Sequence, residues 1–163
     1  KQGLQWLAQI KSKYSCSILT DVHETSQIER VAQVADIIQI PAFLCRQTDL
    51  ITMAAKTGRW INIKKGQFLS PTSAIQAAEK ASDYQEAPKV SITERGSCFG
   101  YGDLVVDMRG LYIMGESNVP LIYDVTHSLQ LPPTSTTTQQ SGGFRQAAPA
   151  LARAATATGK IQG

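Results

Sequence analysis

The spacing of apolar residues changes several times along the chain, and each change marks an element. Leu4, Trp6, Leu7 and Ile10 recur at helical spacing and predict an opening helix. Residues 17–24 then read as a strand ending in polar side chains. A helix follows, with Ser26 as its cap, Glu29 three residues on, and Ile28, Val31, Ala32 and Ala35 as the stripe that packs on a sheet. Residues 36–40 form a second strand, stopped by Pro41. The next helix starts at Thr48 or Asp49, buries Leu50, Met53 and Ala54, and ends before Gly58. The alternation continues with a strand at 61–65, a helix around 73–82, a strand at 90–94, a helical stretch from about Leu104 and a strand at 121–125. A final helix within 143–158 places Ala147, Ala148, Leu151, Ala154, Ala155 and Thr158 on one face. Pro149 is admissible only in its first turn, and Gly159 is its stop.

Five strands alternating with helices place the chain in the α/β class. Ile37-Ile38 and Leu121-Ile122-Tyr123 put apolar side chains on both strand faces, as parallel sheets covered by helices require, whereas 90–94 alternates. Two architectures fit this grammar. One is the middle of an eight-stranded barrel lacking its first strands and its last; the other is a complete five-stranded doubly wound sheet. The segment 131–140, with two prolines and four threonines, reads as a mobile surface loop.

Composition narrows the class further. The 163 residues are 42% apolar and 18% charged, enough for one globular core. There is neither an apolar run long enough to cross a bilayer nor a signal-peptide core, so a cytoplasmic protein is expected. The net charge of +3 comes from scattered basic residues, which suits anionic small molecules better than a nucleic-acid backbone. Cys16, Cys45 and Cys98 are odd in number and widely spaced, so reduced thiols are expected rather than disulfides or a zinc site.

Candidate chemistry lies at the strand ends: Asp21 and His23, Gln39, Lys64, Glu94 with Arg95, and Asp124 with His127. In α/β barrels these ends build the active site, so five of them converging on one cleft is the expectation. Alternation puts Lys64 on the same face as Asn62 and turns Lys65 toward packing helices or solvent. An inward Lys64 calls for a phosphate or carboxylate; the alternative is a pair of solvated lysines at a loop entrance. Lys64 and Arg95 would supply positive charge, His127 a titratable group or metal ligand, and Asp21 with His23 hydrogen bonds to a polyol.

Five stretches then carry a resemblance: Thr20-Asp21-Val22-His23-Glu24; Gln39-Ile40-Pro41-Ala42-Phe43-Leu44-Cys45-Arg46-Gln47-Thr48-Asp49-Leu50; Asn62-Ile63-Lys64-Lys65-Gly66-Gln67-Phe68; Glu94-Arg95-Gly96 with Phe99-Gly100-Tyr101; and Asp124-Val125-Thr126-His127-Ser128-Leu129-Gln130. Together, in this order, they resemble the 3-deoxy-D-manno-octulosonate 8-phosphate synthase family over nearly the whole chain. The resemblance implies a (β/α)8 TIM barrel, with 1–163 a partial barrel covering about strands three to seven. It also implies condensation of phosphoenolpyruvate with D-arabinose 5-phosphate, releasing phosphate, on the route to the Kdo sugar of lipopolysaccharide or plant cell wall. The implied assembly is a homotetramer in the cytoplasm, without nucleic-acid or membrane partners.

By the same resemblance Lys64 and Arg95 hold the phosphate and carboxylate of phosphoenolpyruvate, with Gln39, Gln67 and the Pro41-Ala42-Phe43 backbone beside it. Asp21 and His23 lie near the sugar chain, and Arg46 looks across a subunit interface toward a neighbouring sugar phosphate. His127 ligates a divalent metal in the metal-dependent class and stands near the reacting centre in the metal-free class, so either no cofactor or one metal is implied. Ser141-Gly142-Gly143 and Arg145 match the turn into the seventh helix. Gly102 departs from the family's Asn or Asp, and Cys45 and Cys98 are not promoted to ligands. A related phosphoenolpyruvate-dependent synthase, of the 3-deoxy-heptulosonate or sialic acid type, and an inactive piece of the family are the alternatives.

Overall fold

A computed structural model describes residues 2–100, 102–131 and 142–163. Tyr101, Ser141 and all of 131–140 except Leu131 lie outside the described residues, so the expected surface loop and the first residue of the Ser-Gly-Gly turn do too.

The elements run α1 (Gln2–Tyr14), β1 (Leu19–Asp21), α2 (Thr25–Ala32), β2 (Ile37–Ile40), a 3-10 turn (Ala42–Leu44), α3 (Thr48–Ala55), β3 (Trp60–Lys64), α4 (Pro71–Ser82) and β4 (Val90–Glu94). They continue with α5 (Met108–Gly115), β5 (Leu121–Tyr123), α6 (Val125–Ser128), β6 (Gln130–Leu131), β7 (Gly142–Gly143), a 3-10 turn (Arg145–Ala147) and α7 (Ala148–Ala157). Strands β1 to β5 form one sheet in chain order. A doubly wound sheet reverses its strand order at a switch point, so the sequential order removes that alternative. The chain separates into two compact units, Lys1–Lys64 with Gln76–Ser91, and Lys65–Ile75 with Ile92–Gly163.

In the first unit β1 pairs with β2 and β2 with β3, all parallel, in a register that places Asp21, Gln39 and Asn62 side by side. Ile38, Ile40, Ile61 and Ile63 are fully buried, and helices α2 and α3 add Ile28, Ile51 and Ala54 to the same core. Burial of each isoleucine side chain contributes roughly 1.5–3 kcal/mol. Pro41 ends β2 as expected, and Gly58 follows α3 with φ of +69°, a conformation that costs glycine little. Three details depart from the pattern. Glu24, not Ser26, is the N-cap of α2, and Ser26 lies within the helix. Met53 is exposed, while Ile51 and Ala55 take the buried positions on α3. Helix α1 buries none of its residues and leaves Trp6 and Ile10 exposed; it is tied down by Lys11, whose Nζ donates to Asp36 Oδ1 at 2.7 Å and to Val34 O at 3.1 Å.

In the second unit β4 pairs in parallel with β5. All five positions of β4 are buried, although Ser91, Thr93 and Glu94 are polar, so its alternation does not mark a solvent face. Leu111, Met114 and Leu121 fill the core here. Helix α5 begins at Met108 rather than near Leu104, because Asp107 caps it by accepting from Arg109 N and Val105 is extended, bridged to Ser97. Val125 likewise belongs to α6, not β5. Pro149 sits in the first turn of α7, and only Ala155 of the expected face is fully buried. Beyond α7 the backbone runs beside β5, with Gln162 N donating to Leu121 O at 2.8 Å and Tyr123 N to Gly163 O at 2.9 Å. No helix among the described residues is long and apolar enough to cross a membrane.

Candidate active site

The strand-end residues of the first unit are joined by a directed chain of hydrogen bonds. Trp60 Nε1 donates to Ser91 Oγ at 3.1 Å, and Ser91 Oγ donates to Asn62 Oδ1 at 3.1 Å. Asn62 Nδ2 then donates to Gln39 Oε1 at 2.7 Å, and Gln39 Nε2 to Asp21 Oδ1 at 2.5 Å. Each amide is oriented by its neighbour, so the polarity runs one way, from the buried Ser91 and Asn62 to the exposed Asp21. Gln39 and Asp21, two of the expected site residues, are thus hydrogen-bonded to each other and, through Gln39, to Asn62, whose partner Ser91 lies 29 positions along the chain. Lys64 closes β3 half-buried, on the face of Asn62.

Around this row the loop residues are arranged by backbone contacts. His23 is exposed, and its N–H donates to Gln27 Oε1 at 2.9 Å. Pro41 O accepts from Leu44 N at 2.9 Å, closing the turn that buries Ala42 and leaves Phe43 73% exposed, with Arg46 exposed just beyond. A cleft of about 650 Å³ lies between α1 and the β1–α2 region of this unit; its walls are largely apolar, and Asp21, the outer end of the row, is the carboxylate among its described lining residues.

The second unit carries a buried ionic cluster. Lys65 is 1% exposed, and its Nζ lies 3.4 Å from Glu94 Oε1 and donates to Ser97 Oγ at 3.1 Å. Of the two surroundings expected for Lys65, packing helices or solvent, burial excludes solvent: it is the largest fully buried side chain among the described residues, and an opposite charge stabilises it there. Glu94 Oε1 also accepts from Arg95 N at 2.9 Å and Gly96 N at 2.6 Å. Arg95 is 8% exposed and its buried Nη1 has no hydrogen-bond partner; the buried Oε1 of Gln67 has none either. Burial pulls the Arg95 guanidinium below its ordinary pKa, while the charges of Asp124 and Glu94 oppose that shift.

Asp124 fixes His127. Its Oδ1 accepts from His127 N at 3.0 Å, and its Oδ2 lies 2.7 Å from His127 Nδ1, leaving Nε2 outward on a half-exposed ring. His127 and Arg145 border a cavity of about 560 Å³ whose rim includes Gly142 and Gly143. As a test of the metal expectation, His127 and Asp124 together supply at most two ligands. Among the described residues no group of three or more His, Cys, Asp or Glu side chains is placed to hold an ion. The residues present do not make a metal centre by themselves. None of the three cysteines forms a disulfide; Cys45 is buried, Cys16 and Cys98 exposed.

The comparisons with known proteins stand beside a buried guanidinium whose Nη1 has no partner and a histidine held by Asp124 just beyond β5. Residues 1–163 match the DAHP synthetase I family throughout. The chain belongs to that family. Among curated relatives, a 2-dehydro-3-deoxyphosphooctonate aldolase from Pisum sativum is 52% identical over 161 residues, covering 97% of this chain and 55% of the relative. Another of the same name, from Rickettsia prowazekii, is 50% identical over 159 residues, covering 98% of this chain and 57% of the relative. This DAHP synthetase I family chain therefore spans just over half the length of the curated relatives it matches.

Proposed function

We propose that the protein containing this chain condenses phosphoenolpyruvate with D-arabinose 5-phosphate to 3-deoxy-D-manno-octulosonate 8-phosphate and phosphate, and that the sheet is part of a (β/α)8 barrel. The observation that carries the reading is Arg95, desolvated and with Nη1 unpartnered. A buried donor in this state is costly unless it serves an anion, and a guanidinium matches a planar carboxylate or a phosphate. The names of the curated relatives favour this acceptor sugar over the heptulosonate and sialic acid alternatives.

In this reading Lys64 and Arg95 hold the phosphate and carboxylate of phosphoenolpyruvate, with Gln39, Gln67 and the turn at Pro41, Ala42 and Phe43 shaping its surroundings. Their charges are preorganised and meet negative charge that grows as the intermediate forms. C3 of the enol attacks the aldehyde carbon, water adds at C2, and phosphate leaves with cleavage of the C2–O bond. His127, held by Asp124 through Nδ1, positions or deprotonates that water through Nε2. Asp21 and His23 meet the sugar hydroxyls. Arg46, exposed beside the Ala42–Leu44 turn, reaches a neighbouring subunit's sugar phosphate in a cytoplasmic tetramer. No step is routed through a metal.

Release of inorganic phosphate from the two substrates, with and without EDTA, tests the proposal on this chain and on the longest version of the protein. Release by the longer version supports it. Release with erythrose 4-phosphate or an N-acetylhexosamine but not with arabinose 5-phosphate overturns it.

A further inference from the structure

We propose that Lys65 is a positioning residue: its ammonium neutralises Glu94, so that the neighbouring Arg95 guanidinium is left to an anionic substrate instead of being captured by its own backbone neighbour. The inference rests on the reading of Arg95 as the phosphoenolpyruvate anchor.

Glu94 is 3% exposed and needs an opposite charge. Two cations are available to it in its unit, Lys65 at 3.4 Å and the adjacent Arg95. Lys65 is spent entirely inside. Besides Glu94 and Ser97 its Nζ meets Gly66 O and Leu69 O, both at 3.4 Å, so no donor is left for a ligand. Arg95 is the opposite case, since its backbone N–H binds Glu94 while its side chain keeps an unused Nη1.

The local backbone serves the same division. Lys65 N donates to Thr93 O at 2.8 Å and Cys98 N to Gln67 O at 3.0 Å, joining the turn after β3 to the turn after β4. Gly96 takes φ of +96°, with Leu104 Cβ only 3.0 Å from where a Cβ would stand, and this bend lets both Arg95 N and Gly96 N reach the Glu94 carboxylate. The charged and titratable groups around Glu94 in this unit are Lys65, Arg95, Tyr123 and Asp124; the last two bear on it from the end of β5, where Asp124 N donates to Glu94 O at 2.9 Å. Asp124 bears the same sign of charge as Glu94 and binds His127, and Tyr123 is neutral at pH 7. Lys65, at 3.4 Å, offsets Glu94 without using Arg95.

Removal of the ammonium in Lys65→Met leaves a buried carboxylate beside Arg95. Left without that charge, it pairs with the guanidinium and competes with the substrate for it. Phosphoenolpyruvate binding is measured by calorimetry on the longest version of the protein, unsubstituted and as the variant. The variant is expected to bind about tenfold more weakly. Lys65→Met/Glu94→Gln, which removes both charges, restores binding to within a few-fold and guards against a variant that does not fold; removing the carboxylate would not rescue the loss of a merely structural lysine. In parallel, the Arg95 side-chain nitrogen resonances should shift in Lys65→Met and return in the double variant. Equal binding by Lys65→Met, a double variant as weak as the single one, or resonances that stay still overturn the inference. No phosphoenolpyruvate binding by the unsubstituted protein overturns the functional reading instead, and the nitrogen resonances still decide the role of Lys65.

Discussion

Replacing Asn62 with leucine tests whether the hydrogen-bonded row across β1, β2 and β3 acts as a unit. Asn62 is 2% exposed and makes two of its bonds, from Ser91 Oγ and to Gln39 Oε1. Ser91, also 2% exposed, still accepts from Trp60 Nε1 but loses the acceptor for its own proton. A buried donor stranded in this way costs about 1–3 kcal/mol, and the lost bond to Gln39 adds about 1 kcal/mol because Gln39 can rehydrate. The apolar surface of leucine returns roughly 1 kcal/mol, so a net loss of about 1–3 kcal/mol is expected. Asp21→Ala, at the exposed end, should cost under about 1 kcal/mol. Urea titration followed by tryptophan fluorescence measures both, with unchanged m values confirming that the folded and unfolded states are comparable. Asn62→Leu/Ser91→Ala should cost about 1 kcal/mol less than the sum of its parts, since both act on the same bonds. An Asn62→Leu chain within about 0.5 kcal/mol of the parent, or strict additivity, would refute the idea of a coupled row.

Three further outcomes are expected. Asp36 is held below its ordinary pKa by the hydrogen bond from Lys11 and that from Ile18 N. Its contribution is therefore present above the unfolded carboxylate's pKa and is lost as the pH falls through the lower folded value. Thermal unfolding from pH 6 to pH 2 should show this in the parent and not in Asp36→Asn, with an amplitude under about 1 kcal/mol because the pair is partly solvated. Gly96→Ala should destabilise by about 1–3 kcal/mol, since its φ is +96° and Leu104 crowds the site, whereas Gly58→Ala, with open space around it, should cost about 1 kcal/mol; chemical denaturation separates the two. Arg95→Lys should weaken phosphoenolpyruvate binding about tenfold or more by calorimetry, because a point ammonium does not reproduce the planar fork; unchanged binding would remove Arg95 from the site.

Much of this was legible in the residues because neighbours in sequence decided it. Pro41 ended β2, and the Val90 to Glu94 run matched β4 with its observed bounds. What stayed hidden depended on partners far along the chain. Lys65 could face packing helices or solvent on its own sequence, and the choice is made by Glu94, 29 positions later, at 3.4 Å. Leu104 and Val105 look like the start of a helix, yet the bridge from Val105 to Ser97 holds them extended and hands the cap to Asp107. Helix α1 follows its periodicity, yet of its apolar stripe Leu4 and Leu7 are half-buried while Trp6 and Ile10 stay exposed, a division that spacing alone does not contain.

The one-way order of bonds from Trp60 to Asp21 also decides what a solute can find at its outer end. Each donor in the series points along it toward Asp21, and that last member is a carboxylate, which when ionised has only lone pairs to present. A molecule arriving there must bring a proton of its own to share. A free hydroxyl satisfies that demand; an ether, a ketone or a methylated alcohol of the same shape does not. The carboxylate itself sets the filter, and the Gln39 amide, oriented by Asn62 two strands away from Asp21, holds one of its oxygens in place.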